Sequence, residues 1–223
     1  VQYGGRLASI FNITARQGNP DKFSFRGGIS PVAARLLVEG PFKKEKSSYM
    51  LSLRSTYSDW VLKLVKDHDI KNSSAFFTDA IANLSFLPDN RNKVSFFSYI
   101  SYDKASISTL TDYKYGNAGA SLSWMNIFKG KHSAGITLVY DRYGMDEENL
   151  EYDLTAYSQL FQLGHTELKT DITLHPSDRR TYTFGMSSIL YHAAKGDIQP
   201  LDEASTIIPK SFEPEKGLEN AIY

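Results

Sequence analysis

Asn126-Ile127-Phe128-Lys129-Gly130-Lys131-His132-Ser133-Ala134-Gly135-Ile136-Thr137-Leu138-Val139-Tyr140-Asp141-Arg142-Tyr143 is the stretch that decides the fold. Ile127 to Lys131 reads as a tight polar turn, and from His132 onward the side chains alternate. Ala134, Ile136, Leu138 and Tyr140 share one face of an extended segment, and Ser133, Gly135, Thr137 and Asp141 share the other, with Val139 the one apolar intruder. A period of two held for about ten residues predicts a strand long enough to cross a bilayer at a tilt. The same pattern recurs along most of the chain.

The bulk composition narrows the class. A length of 223 residues admits one large all-β domain or two small ones. With 41% hydrophobic residues, no net charge and a mean hydropathy of -0.35, the chain has no run of about 18 apolar residues, which excludes a helical membrane protein. Two classes remain: a soluble β protein, and an outer-membrane barrel whose strands hide half their residues from lipid. Aromatic residues make up 13%, mostly Tyr and Phe, types favoured where a strand leaves hydrocarbon and meets headgroups. The absence of cysteine removes disulfide scaffolds, thiolate zinc sites and cysteine nucleophiles. Balanced charge without a basic stripe argues against nucleic acid as a partner.

Taken in order, residues 7–15 read as a short strand ended by the breaker run Gln17-Gly18-Asn19-Pro20. The barrel pattern starts at Lys22, with Phe23 and Phe25 alternating with Ser24 and Arg26, and continues through strands around 32–39, 48–56, 76–87, 93–102, 113–127 and 132–143. Helical spacing of Trp60, Val61, Leu64 and Val65 predicts a short amphipathic helix in a loop reaching Ser74. An acidic loop over 144–149 leads to a long eighth strand with a bulge at Gly164, then a ninth strand, a loop over 195–217 and the start of a tenth strand at Leu218. Val1-Gln2-Tyr3 lacks the organisation of a secretory signal, and Gly217 and Glu219 stand where a barrel's last strand would be apolar. Both ends are expected to be cuts through a longer polypeptide.

The connections carry the membrane reading. Short turns at 43–46, 88–92, 128–131 and 176–179 alternate with longer loops at 58–74, 105–111, 144–149 and 195–217, the asymmetry of outer-membrane barrels. Phe42, Phe86, Phe96, Trp124, Phe128, Tyr182 and Phe184 gather toward the short-turn rim as an interfacial belt would. Half-buried antiparallel sheets of soluble proteins also alternate, so a soluble β-sheet interaction protein stays open on pattern alone.

Tyr3-Gly4-Gly5-Arg6-Leu7-Ala8-Ser9-Ile10-Phe11-Asn12-Ile13 resembles the end of the plug domain of TonB-dependent outer-membrane transporters. Gly28-Ile29-Ser30-Pro31-Val32-Ala33-Ala34-Arg35-Leu36-Leu37-Val38-Glu39-Gly40-Pro41, Lys46-Ser47-Ser48 and Arg54-Ser55-Thr56-Tyr57-Ser58-Asp59-Trp60 look like the opening barrel strands of a subfamily that often carries a carboxypeptidase-regulatory-like N-terminal domain. Leu218-Glu219-Asn220-Ala221-Ile222-Tyr223 looks like the start of another barrel strand. The resemblance implies an all-β fold: part of an antiparallel transmembrane β-barrel of about 22 strands, with the last strand of a plug. Residues 1–20 would be the C-terminal end of the plug, and 21–223 barrel strands one to about ten. It further implies active uptake of a scarce nutrient (siderophore, cobalamin, sugar or peptide) across the outer membrane of a Gram-negative-type envelope. A TonB-type energy-transducing protein would act through an N-terminal segment missing here, with outer-membrane lipids around the barrel and a surface lipoprotein as a further partner. The alternative of another class is a passive or structural outer-membrane barrel, a channel or an adhesin.

No catalytic constellation emerges, so the chain is read as no enzyme and without cofactor. His68, His132, His165, His175 and His192 are scattered rather than clustered for a metal. Alternation puts most of Arg6, Arg35, Glu39, Arg54 and Asp79 on the inward face, where charges need partners. Arg6, Arg35, Glu39 and Arg54 are the candidate plug–barrel contacts, and pairing between neighbouring strands is the competing role. Trp60, with Tyr57 beside it, is the candidate substrate contact at the outer mouth, against simple packing within the loop.

Overall fold

The computed structural model describes residues 14–108 and 110–223. Ten strands form one antiparallel sheet whose order in space is their order in the chain: β1 (Ser24–Ile29), β2 (Ala33–Lys43), β3 (Ser47–Thr56), β4 (Ser74–Phe86), β5 (Asn92–Ile107), β6 (Thr111–Phe128), β7 (His132–Asn149), β8 (Tyr157–Ser177), β9 (Arg180–Pro200) and β10 (Glu215–Ile222). The sheet does not close, so β1 and β10 are its two edges. The expected strand over 7–15 falls mostly outside the described residues, and Thr14 and Ala15 are not in a strand.

Because each strand pairs with its sequence neighbour in regular register, side chains line up in rows across the sheet. One row runs Tyr49, Leu84, Phe96, Leu122, Leu138 and Leu168, and the next Phe86, Val94, Trp124, Ile136, Thr170 and Met186. On the opposite face a row runs Glu39, Met50, Asn83, Phe97, Ser121, Val139 and Glu167. Val139 is thus a member of the polar face.

Burial is inverted relative to a soluble sheet. Among the described residues only Met50 and Ala156 are buried hydrophobics, whereas Glu39, Ser47, Ser48, Thr56, Asn83, Ser85 and Ser187 are buried polar ones. Leu122, Ile136, Leu138 and Phe184 are 50%, 44%, 48% and 55% exposed. Among the described residues no second layer covers the apolar face.

One rim carries short turns, between β2 and β3, β4 and β5, β6 and β7, and β8 and β9; the opposite rim carries the segments 57–73, 150–156 and 201–214, but only three residues separate β1 from β2 and β5 from β6, so the longer loop expected at 105–111 is absent. At the short-turn rim Asp89 accepts from the amides of Arg91 and Asn92 and from the Asn92 side chain, and the Asn92 oxygen accepts from Trp124 Nε1 and Asn126. The Asn92 hydrogen bond, aided by these amides, holds the Asp89 carboxyl below its ordinary pKa. Phe42, Phe86, Phe96, Trp124, Phe128, Tyr182 and Phe184 all stand near this rim.

The upper ends of the strands depart from expectation. Residues 144–149 form the end of β7 instead of an acidic loop, and β5 runs on to Ile107 instead of ending near Tyr102. Cross-strand charge explains the extension: Lys114 lies opposite Asp146 and bonds Glu148, while Lys104 lies 3.6 Å from Asp112. The 195–217 loop shrinks to 201–214, and the predicted helix is two single turns, α1 (Asp59–Leu62) and α2 (His68–Lys71). The β8–β9 register shifts between Leu160 and Phe161, and again near the turn between Leu174 and Ser177, while Gly164 sits in register opposite His192. At the first shift the extra residue belongs to β9: Gly196 has φ +91°, and a Cβ there would stand 2.7 Å from the Phe161 ring. Gly196→Val is therefore expected to destabilise the fold by about 1–3 kcal/mol, through backbone strain and displacement of that ring, as read from equilibrium unfolding.

Candidate functional site

The polar face is crossed near the short-turn rim by residues 14–22. Gly18 is pressed against β3 so closely that a Cβ would stand 2.0 Å from the Tyr49 carbonyl oxygen, so no side chain fits there. Asn83 donates to the Arg16 carbonyl at 3.0 Å, and the Glu45 amide donates to the Pro20 carbonyl at 3.2 Å. Arg16 donates to Glu39 at 2.6 Å, and Arg26 of β1 lies 3.8 Å from the same carboxylate. Glu39 is 2% exposed, so its charge is balanced by two guanidiniums rather than by water. The hydrogen bond to Glu39 raises the pKa of Arg16, against a smaller opposing effect of desolvation.

The proposed contact residues separate. Glu39 receives the crossing segment. Arg54 instead pairs with Asp79, directly opposite it in the β3–β4 register, at 2.7 Å, with its guanidinium 4.9 Å above the Phe77 ring. The Arg35 side chain lies against Gly28 of β1. Arg6 lies outside the described residues. Tyr57 donates its hydroxyl to the Ser30 carbonyl, and Trp60 Nε1 donates to the Pro31 carbonyl at 2.9 Å. Both thereby tie the 57–73 loop to the turn between β1 and β2, with Trp60 49% exposed.

Arg16, Gly18 and Asn83 were not singled out by the sequence. Asn83 had the right parity for the inward face, but its partner is 67 residues away, a pairing no local pattern carries. Beside the segment opens a groove of about 900 Å³ lined by Arg54, Asp79, Phe97, Tyr99, Asp103 and Ser121 together with Thr14, Ala15 and Gln17. Aromatic faces, hydroxyls and charges of both signs there suit a polar organic solute.

A second polar chain lies further along the sheet. Asp141 sits opposite His165 in register, 2.6 Å from its Nδ1, Glu167 stands 3.9 Å from Nε2, and Ser187 donates to Glu167 at 2.7 Å. These groups satisfy one another in a line rather than converging on a point. Histidines that look scattered in the chain are thus drawn into use one at a time by strand register.

No known protein family, no curated protein and no solved structure matches the chain. What the chain does is read from its faces and rims.

The grip of Glu39 on the 14–22 segment has a direct readout. Glu39→Gln is expected to speed tryptic cleavage after Arg16 by roughly threefold to tenfold, less than a fully buried pair would give because water screens the half-exposed guanidinium. Arg54→Gln, whose hydrogen-bond partner is Asp79 and not the crossing segment, is expected to leave that rate unchanged.

Proposed function

We propose that the chain is a portion of a plugged outer-membrane β-barrel that takes up a scarce nutrient in a TonB-dependent manner. The observation that carries this reading is the inverted burial: a continuous face of exposed Leu, Ile, Phe and Met backed by buried Glu, Asn and Ser. An exposed apolar surface of this extent needs a covering phase, and acyl chains supply one around an antiparallel sheet. From Val94 to Tyr102 in β5, nine residues separate the short-turn rim from the charged row begun by Lys104, the length a tilted strand needs to span the hydrocarbon. Arg142, outward near that upper limit, reaches along the sheet to Gln162 at 2.7 Å, as a cation at a lipid boundary does. The three longest connections, 57–73, 150–156 and 201–214, all lie on one rim, beside two short ones, and support an outer-membrane orientation with the all-short rim toward the periplasm.

The plug part of the reading rests on residues 14–22. A passive pore has no need of a segment pinned across its inward face by a buried carboxylate, whereas a transporter that opens by moving its plug needs holding contacts that can be broken. Further strands would then complete the wall between β1 and β10, and an energised partner would act through a segment N-terminal to Val1. Siderophores, cobalamin, sugars and peptides remain the substrate classes in view.

The two tryptophans test the membrane reading. With Trp60 replaced by Phe, fluorescence of the remaining Trp124 is expected to be quenched by brominated acyl chains and spared by aqueous iodide. With Trp124→Phe the order is expected to reverse for Trp60, and iodide quenching of both residues alike would overturn the reading. Uptake by cells producing the protein is expected to stop when a protonophore dissipates the inner-membrane gradient, and uptake that persists unchanged would identify a passive channel.

A further inference from the structure

Beyond the charged row begun by Lys104, β6, β7 and β8 project toward the loop rim, and their polar face changes character. Tyr113 lies directly opposite Glu147 in the β6–β7 register, and Gln159 flanks Glu147 from β8. Tyr113 and Tyr115 stack with centroids 6.1 Å apart and planes 10° from parallel. Tyr157 donates its hydroxyl to Glu147 Oε1 at 3.3 Å. Behind them the Phe161 ring and the Gln159 amide lie against Gly196, whose bulge makes the room they occupy. The tyrosines and Glu147 are all partly buried, yet open enough to be reached.

Glu147 lacks what such a carboxylate ordinarily has. Among the described residues no lysine, arginine or histidine lies within ion-pair distance of it. Lys114 is committed to Asp146 and Glu148 on the opposite face, and Lys195, on the same face, to Glu215. A partly buried carboxylate with Tyr157 on one oxygen and Tyr113 opposite it is a setting that attracts a cation from outside.

We propose that the patch formed by Glu147, Tyr113, Tyr115 and Tyr157 binds the primary ammonium group of an organic ligand. The count of acceptors selects this cation. Tyr157 already donates to one oxygen of Glu147, so a planar guanidinium fork would have to share that oxygen with the phenol, whereas a tetrahedral ammonium needs only the other. A quaternary ammonium has no N–H to give the free oxygen or the tyrosine hydroxyl oxygens. Three donors on a tetrahedral nitrogen match the free carboxylate oxygen and neighbouring phenolic oxygens, while the ligand's carbon body rests on the stacked rings of Tyr113 and Tyr115. The inference adds a ligand chemistry to the proposed mouth of the barrel and rests on that reading only for its position, since binding requires neither transport nor a bilayer.

The test is binding to the full chain, in detergent micelles or in buffer, followed by saturation-transfer NMR and tyrosine fluorescence. Phenethylammonium is expected to bind saturably, at least tenfold more tightly than its neutral counterpart 2-phenylethanol, than phenyltrimethylammonium and than phenethylguanidinium. Glu147→Gln is expected to remove that tenfold preference while leaving 2-phenylethanol unaffected, and Glu151→Gln, in the adjoining exposed loop, to change neither. Absence of saturable binding, equal binding of the charged and neutral probes, a preference for the quaternary or guanidinium probe, or an equal loss in Glu151→Gln would each overturn the proposal. A failed tryptophan-quenching result would move the site out of a membrane protein without touching these outcomes.

Discussion

Everything in this molecule hangs on cross-strand register. Ten strands pair with their chain neighbours, and because side chains alternate strictly along each strand, a single slip by one residue would exchange the faces of that strand. The register instead keeps Leu53 beside Ala80 and Ile100, and Glu39 beside Met50 and Asn83. A sheet so sorted has one face that cannot be left in water and one that cannot be left in hydrocarbon. The proposed barrel satisfies both at once.

The polar face is filled in zones. Near the short-turn rim the 14–22 segment covers Glu39 and Asn83, and its backbone rather than its side chains makes most of the fit. Toward the loop rim the tyrosines take over, and charge pairs such as Lys114 with Glu148 move to the other face. Between them Arg54 and Asp79 bond across strands and leave a groove beside the crossing segment. The polar face thus runs from tight cover at the short-turn rim to open aromatic walls at the other.

Much of this was legible in the sequence because the relevant signal is local. Alternation in Ala134, Ile136, Leu138 and Tyr140 marks an outward face whatever lies beside it, and turn residues such as Lys129-Gly130 mark the rim. The strand extensions were hidden because Asp146, Glu147 and Glu148 look like a solvated loop until Lys114 is known to lie across from them. The bulge was assigned to Gly164 on residue type, whereas Gly196, in a stretch read as loop, has the backbone that only glycine adopts readily. Of the candidate contacts, Glu39 had parity in its favour, but Arg16 belongs to a segment whose path over β3 no periodicity encodes.

The meander order bears on how such a chain is made. Every strand pairing joins elements adjacent in sequence, so each hairpin assembles without first closing a long loop, and growth proceeds by adding one strand to an existing edge. The two edges, β1 and β10, each present a row of backbone donors and acceptors. In the proposed barrel, joining the first strand to the last would be the single non-local event in assembly, and so the slow one. A catalyst that holds one edge while the rest is threaded in would act there.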